Sequence, residues 1–399
     1  MSGMNIDQSA STNETGLPRR DWVLLPLLGV MTIVLLLVGL ELTARVQYWQ
    51  TAKQGESCML YKDSSGDPKG IPNTVCWEKL SEGPGLTPYR FNSSGYRSDI
   101  EFGPKPPGTY RVVVLGSSIA AGVRVPIEDA FATRLSSELG ERTGRKVEIF
   151  NLGMAGNSAY PEVVARRFKY ALGFQPDLII WVVSVWDVGH AGENSNAENQ
   201  DDDDPVSRPG LGRVGRLRAS VQQYLHTQLR APTMLHHLLY ESKSEYVQHY
   251  LMQDDSSGGY IKSRLSAEWQ SRLRIYDGYA AQLEQGARAA GVPWAVVMVP
   301  NRMQSAMISM DQWPAGCNPY SLDDALRPII TSHGGAFIDI LDDFHHIPDP
   351  EQYYFPVDGH PTAEGHALFS EIVGRELTNG AIPALQGGNS TQVAMKQGR

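Results

Sequence analysis

The sequence predicts an α/β domain in which a mainly parallel sheet is covered by helices on both faces, preceded by an apolar N-terminal helix. Three observations predict it. Short runs such as VVVL at 112–115, LIIWVV at 178–183 and WAVVMV at 294–299 are almost wholly apolar, as strands buried on both faces are. Stretches of helical periodicity lie between such runs, and alternating strands and helices build parallel sheets with a helical layer on each side. Trp22 to Leu40 is a run of nineteen residues without a charge. At about 1.5 Å per residue it reaches roughly 28 Å, close to a hydrocarbon core of about 30 Å.

Residues 1–21 read as a disordered cytoplasmic N-terminus and 22–40 as a transmembrane helix. Pro26 falls near the first turn, where proline is tolerated, and Trp22 and Trp49 suit the two interfaces. Arg19 and Arg20 precede the span and Arg45 follows it, a bias that leaves the N-terminus inside and exports the body. The expected location is therefore the inner membrane, single-pass, with the body of the chain on the periplasmic or extracellular side. A cleaved signal peptide is the competing reading. Its apolar core usually spans about 7–15 residues before a small-residue cleavage site, which Leu42-Thr43-Ala44 matches poorly.

Residues 41–108 form a stem and lead-in segment, rich in turns such as Asp63-Ser64-Ser65-Gly66-Asp67-Pro68 and Lys105-Pro106-Pro107-Gly108. Cys58 and Cys76 fall within it and are the expected disulfide in an oxidising compartment, while Cys317 stands alone. The α/β domain occupies 109–378. Its expected strands are Tyr110–Leu115, Val147–Asn151, Leu178–Val183, Trp294–Val299 and Ala336–Ile340. Its expected helices include Ala130–Leu139, Pro161–Leu172, Ser266–Ala290 and Thr362–Leu377. Residues 188–265 interrupt the alternation and read as an insertion, a lid over the sheet's active edge. It opens with an acidic, solvated loop, Gly192 to Asp204, followed by an apolar stripe, Val214, Leu217, Val221, Leu225 and Leu229. That stripe, flanked by arginines, predicts an amphipathic helix packed on the domain. A flexible tail covers 379–399.

Three segments carry chemistry. The first strand ends in Gly116-Ser117-Ser118-Ile119-Ala120-Ala121-Gly122, a tight turn that presents Ser118 where a helix N-terminus favours negative charge. The second strand ends in the glycine-rich turn Asn151 to Ser158, at the edge where ligands bind in such sheets and where backbone N–H groups can face an oxyanion. Asp358-Gly359-His360 precedes the last helix. A hydroxyl becomes a nucleophile when a base takes its proton and a carboxylate orients that base. Ser118, His360 and Asp358 supply those three groups.

In this order and spacing the blocks resemble the SGNH hydrolase family, also called GDSL esterases, in its membrane-anchored bacterial type. Gly116 to Gly122 is similar to the family's G-D-S-x-x-x-G, Asn151 to Gly156 to its second block, and Asp358-Gly359-His360-Pro361 to its last. Ala363-Glu364-Gly365-His366 resembles the helix that follows, and Asn92-Ser93-Ser94-Gly95-Tyr96-Arg97 the lead-in motif of anchored members. The resemblance covers about Phe91 to Leu377. It implies a flavodoxin-like three-layer α/β/α sandwich, with Ser118 as nucleophile, His360 as general base and Asp358 orienting it. It also implies an oxyanion hole built from the N–H groups of Ser118 and Gly156. Two departures stand out. Ser117 replaces the family's aspartate, and the G-x-N-D block reads Ser184-Val185-Trp186-Asp187, so Trp186 stands where an oxyanion asparagine is expected. Loss of one such donor lowers kcat by about 10²–10³. The Trp186 indole N–H is a possible substitute donor; the plainer reading is a core aromatic capping the sheet.

The net charge of −9, with 35 Lys and Arg against 44 Asp and Glu, excludes a general nucleic-acid binder. His236-His237 and His345-His346 are neighbours whose side chains diverge, so neither pair makes a chelate; no metal or cofactor is expected. The expected function is an exported, membrane-anchored serine esterase. Its substrate would be an acylated small molecule or an envelope glycan, with small acyl groups such as O-acetyl removed. The alternatives are an O-acyltransferase acting on a polysaccharide and a non-catalytic glycan-binding relative.

Overall fold

The computed structural model describes residues 20–47, 61–62, 67–79, 86–155, 160–192, 229–252, 258–310 and 312–386. The central sheet has five strands: β1 Thr109–Leu115, β2 Lys146–Asn151, β3 Leu178–Ser184, β4 Trp294–Val299 and β5 Ala336–Asp339. All neighbouring pairs are parallel, and the order is β2-β1-β3-β4-β5. This is the flavodoxin-like arrangement. The chain turns outward from β1 to β2, then crosses to β3, and the crevice at that reversal is where ligands bind in open α/β sheets.

Successive side chains along a strand point to opposite faces, and the core divides accordingly. Val112, Val114, Ile180, Val182 and Val297 meet Leu135, Leu139, Phe369 and Val373, from helices Phe131–Thr143 and Ala363–Glu376. Val113, Leu115, Trp181, Val183 and Val296 meet Val164, Phe168, Trp269, Tyr276 and Leu283, from helices Pro161–Leu172 and Ala267–Ala290. Trp181 stacks on Tyr276 with ring centroids 5.1 Å apart. The predicted three layers are present.

Most element ends fall within a residue of the sequence reading, and two of the differences have a plain local cause. Helix Phe131–Thr143 outruns its apolar stripe because Glu138 and Arg142 pair along it and Gly144, at φ 66°, closes it. β5 stops at Asp339, whose carboxylate accepts the N–H of Leu341 at 3.0 Å and so starts a helix at Ile340.

Helix Asp21–Gln47 contains the predicted span. It is long and apolar enough to cross a membrane, with mean hydropathy 2.8 over its most apolar stretch, and that stretch is unburied. At its end Glu41 accepts the N–H groups of Arg230 and Ala231, both at 3.0 Å, and so caps helix Ala231–Tyr240. A second helix, Lys243–Leu251, follows. Of the predicted insertion, the acidic run beyond Gly192 and the stripe from Val214 to Leu225 lie outside the described residues, as do the first nineteen residues and 387–399. Cys76 is disulfide-bonded and Cys317 is free and buried; Cys58, the other half of the predicted pair, lies outside the described residues.

Candidate active site

β1 delivers its last residues to the crevice, and Gly116 makes the turn possible. Its φ is 148°, and a Cβ there would lie 2.7 Å from the Val182 carbonyl oxygen and 2.8 Å from the Ala120 Cβ. Ser118 then opens the one-turn helix Ser118–Ala121, so its N–H has no acceptor within the helix. The turn after β2 clasps this helix. Asn151 donates through Nδ2 to the Ala120 carbonyl at 2.7 Å and accepts the Gly153 N–H at 2.9 Å. Met154 N–H donates to the Gly116 carbonyl at 3.2 Å.

On the far side of the crevice the chain forms a tight loop before its last helix. Gly359 N–H donates to the Phe355 carbonyl, and Phe355 N–H to the His360 carbonyl, both at 2.9 Å. Arg302 donates to the Pro356 carbonyl at 2.7 Å. This loop brings His360 to Ser118 across 242 positions of sequence, with Nε2 2.9 Å from Ser118 Oγ. His360 Nδ1 lies 2.6 Å from Asp358 Oδ1. The Nδ1–H tautomer satisfies both contacts: the ring donates to the carboxylate and accepts from the hydroxyl.

Asp358 is held ionised. Burial pushes its carboxyl upward, but the hydrogen bonds and charge of His360 and the nearby Arg124 guanidinium outweigh burial and bring it to about 2. Arg124 Nε donates to the other oxygen, Oδ2, at 3.0 Å. No sequence signal marked Arg124. Its φ of 74° and its partner 234 residues away become visible only in the fold.

The third block builds the floor beside Ser118. Asp187 accepts the Ser184 N–H at 2.7 Å and the Ser184 hydroxyl, and also bonds the Ser117 side chain. Burial pushes the Asp187 carboxyl up against the effect of these bonds. With Ser117 in place of an aspartate, a hydroxyl rather than a second carboxylate faces Asp187. Trp186 is not in the core: it is 54% exposed, which overturns the sheet-capping reading. A residue in the first turn of a helix that leaves the sheet edge can point outward, and here it does. Its ring tilts toward His190, 6.1 Å between centroids. Gly156, the other expected oxyanion donor, lies outside the described residues. Among the described residues, no group of three or more His, Cys, Asp or Glu is placed to hold a metal ion.

Solved structures similar to the chain include "Crystal Structure of TesA", at 12% identity and TM-score 0.36, covering 67% of this chain and 98% of that one. A mutant of Axe2, an acetyl-xylooligosaccharide esterase from Geobacillus Stearmophilus, is 12% identical at TM-score 0.38, covering 67% and 94%. The acetyl xylan esterase AlAXEase is 14% identical at TM-score 0.37, covering 67% and 99%. Among curated proteins, none matches the sequence. Residues 114–368, from within β1 to within the last long helix, match a family of lipases and acylhydrolases. That stretch exceeds half of the 399 residues. The chain belongs to the GDSL-like lipase/acylhydrolase family, a family of ester hydrolases.

Proposed function

We propose that the protein is a membrane-anchored serine esterase that acts on the exported side of the membrane and removes small acyl groups, O-acetyl among them, from an envelope glycan. The observation that carries this reading is the relay from Asp358 through His360 to Ser118, at 2.6 and 2.9 Å, at the crevice of an ester-hydrolase fold. His360 takes the Ser118 proton as Oγ attacks the acyl carbonyl, and the ionised Asp358 steadies the imidazolium that results. The tetrahedral oxyanion is held by the N–H of Ser118, which has no acceptor within its own helix. Collapse expels the alcohol, which receives its proton from His360. Water then attacks the acyl-enzyme with His360 again as base, releasing the acid and restoring Ser118.

The support for a sugar is Trp186, whose half-exposed indole, carried next to the Asp187 that bonds Ser117, offers an apolar face with a polar edge. The support for an anchor is the unburied apolar helix. The test uses the purified full-length protein in detergent with p-nitrophenyl acetate. Ser118→Ala should lower turnover by on the order of 10⁴-fold or more, and a fluorophosphonate should label the wild type but not this variant. Activity that survives Ser118→Ala overturns the reading. Acetyl delivered to an added polysaccharide in preference to water would replace hydrolysis by O-acyl transfer through the same acyl-enzyme.

A further inference from the structure

We propose that Arg124 is a positioning residue for the Asp358–His360 pair, and that the segment ahead of the family-matched region, Leu86 to Arg97, holds it there. The proposal rests on the triad reading above. The Asp358 carboxylate has two oxygens and divides them: Oδ1 faces His360 Nδ1 at 2.6 Å and Oδ2 accepts from Arg124 Nε at 3.0 Å. A carboxylate held at one end only can rotate about its Cβ–Cγ bond, and the imidazole it orients turns with it. Held at both ends, its plane is fixed.

Arg124 reaches Asp358 from a backbone conformation that a side-chain-bearing residue adopts reluctantly. At φ 74° it sits in the left-handed region, which is unfavourable for a residue with a side chain, so its surroundings must hold it there. They do so through two residues of the lead-in segment. Tyr89 accepts the Arg124 N–H on its hydroxyl at 2.8 Å. Arg97 donates to the Ala121 carbonyl at 3.2 Å, to the Gly122 carbonyl, and to the Val125 carbonyl at 2.6 Å. Arg124 is thus bracketed by clamped carbonyls on both sides. The Arg97 guanidinium lies 4.1 Å from the centre of the Tyr89 ring, a cation–π contact that ties the two clamps together. Both side chains are buried, at 2% and 1% exposure. A charge that is buried this completely and spent on three backbone carbonyls is there to fix a loop.

Neither Tyr89 nor Arg97 falls within residues 114–368, the region that matches the family. The lead-in segment is therefore a working part of the active site. Its chain of contacts runs from Arg97 and Tyr89 to Arg124, then Asp358, His360 and Ser118. The Arg124 charge has a second effect. By drawing on the far oxygen of Asp358 it weakens the carboxylate's hold on an imidazolium, so removing Arg124 favours protonated His360. His366, on the following helix, also lies within electrostatic reach of His360, and burial keeps it neutral.

The experiment compares Arg124→Gln, Arg124→Lys and Tyr89→Phe in the full-length protein, reading kcat, KM and the pH profile of kcat/KM, with melting temperature as a folding check. Arg124→Gln should lower kcat on the order of a hundredfold, the effect of a misplaced catalytic group, with KM little changed. Its acid limb should move to higher pH. Arg124→Lys keeps the charge but not the fork, so its acid limb should stay near wild type with an intermediate kcat. Tyr89→Phe keeps the ring under Arg97 and removes only the acceptor for the Arg124 N–H, and should lower kcat by several-fold. The proposal is overturned if folded Arg124→Gln keeps the wild-type kcat and pH profile, or if Arg124→Gln and Arg124→Lys lose kcat equally with no shift in the acid limb. Ser118→Ala and His360→Ala run alongside. If they too remain active, the triad reading has failed; if only they lose activity, this inference alone has failed.

Discussion

Asp358 sets the terms at the scale of a single residue. Its carboxyl, at about 2 in the fold, lies below the value near 3.9 of an unfolded aspartate, so the folded chain binds this proton more weakly. Its contribution to stability is therefore complete above about pH 4 and is lost as pH falls toward 2, up to roughly 2 kcal/mol for a shift of this size. Urea unfolding of Asp358→Asn should show a flatter loss of stability between those values than the wild type. Equal slopes would mean that this carboxylate does not sense the fold as described. The residue scale also shows what a sequence reveals. Ser118, Asp358 and His360 were legible because each sits in a short block whose order and spacing are informative. Arg124 was not, because its role comes from a left-handed backbone and from a partner that only the fold brings near. Trp186 was legible as a departure, but its exposure depends on where the helix leaves the sheet.

At the scale of elements, the three central strands were legible because burial on both faces leaves nearly unbroken apolar runs, whereas the edge strands Lys146–Asn151 and Ala336–Asp339 are buried only toward their ends. Helix Arg302–Ile308 was not legible, since every one of its seven residues is buried and no amphipathic stripe exists to be read. Gln304 and Ser305 find partners inside: Gln304 donates to the Pro319 carbonyl and to Asp323 at 2.9 and 2.7 Å, and Ser305 to the Asn301 carbonyl at 2.8 Å. Helix Ser321–Ser332 carries Pro328 inside it, a residue that reads as a helix breaker. The contact between the turns after β1 and β2 yields a prediction about packing. A Cβ on Gly153 would lie 2.6 Å from both the Ala120 Cβ and the Ala121 nitrogen, so backbone must move. Gly153→Ala should cost about 1–3 kcal/mol of stability, as overpacking does, and lower esterase activity with it. Gly278→Ala, in a helix with open space around the site, should be neutral or stabilising. Chemical denaturation of the two variants checks this, and equal effects would mean the two turns do not touch.

For the whole molecule, the apolar helix Asp21–Gln47 decides how the protein is held. If it is a retained anchor, the full chain should stay in the membrane pellet after an alkaline carbonate wash and leave it only with detergent. N-terminal sequencing should then find the residues ahead of the helix still attached. A soluble product starting near residue 45 would instead identify a cleaved signal peptide. The domain limits drawn from composition depended on runs such as the acidic stretch beyond Gly192, which carry no hydrophobic period to locate them.

Glu41 gives that helix a mechanical meaning. Its carboxylate grips the start of helix Ala231–Tyr240, and at the other end of that helix the Tyr240 carbonyl accepts from Arg302 at 2.5 Å. Arg302 in turn grips the Pro356 carbonyl, two residues before Asp358. The long helix is thus joined to the histidine's loop by a bracket rather than a leash. If that helix is a retained anchor, Ser118 keeps one height and one bearing relative to the membrane, and substrate has to be brought to it.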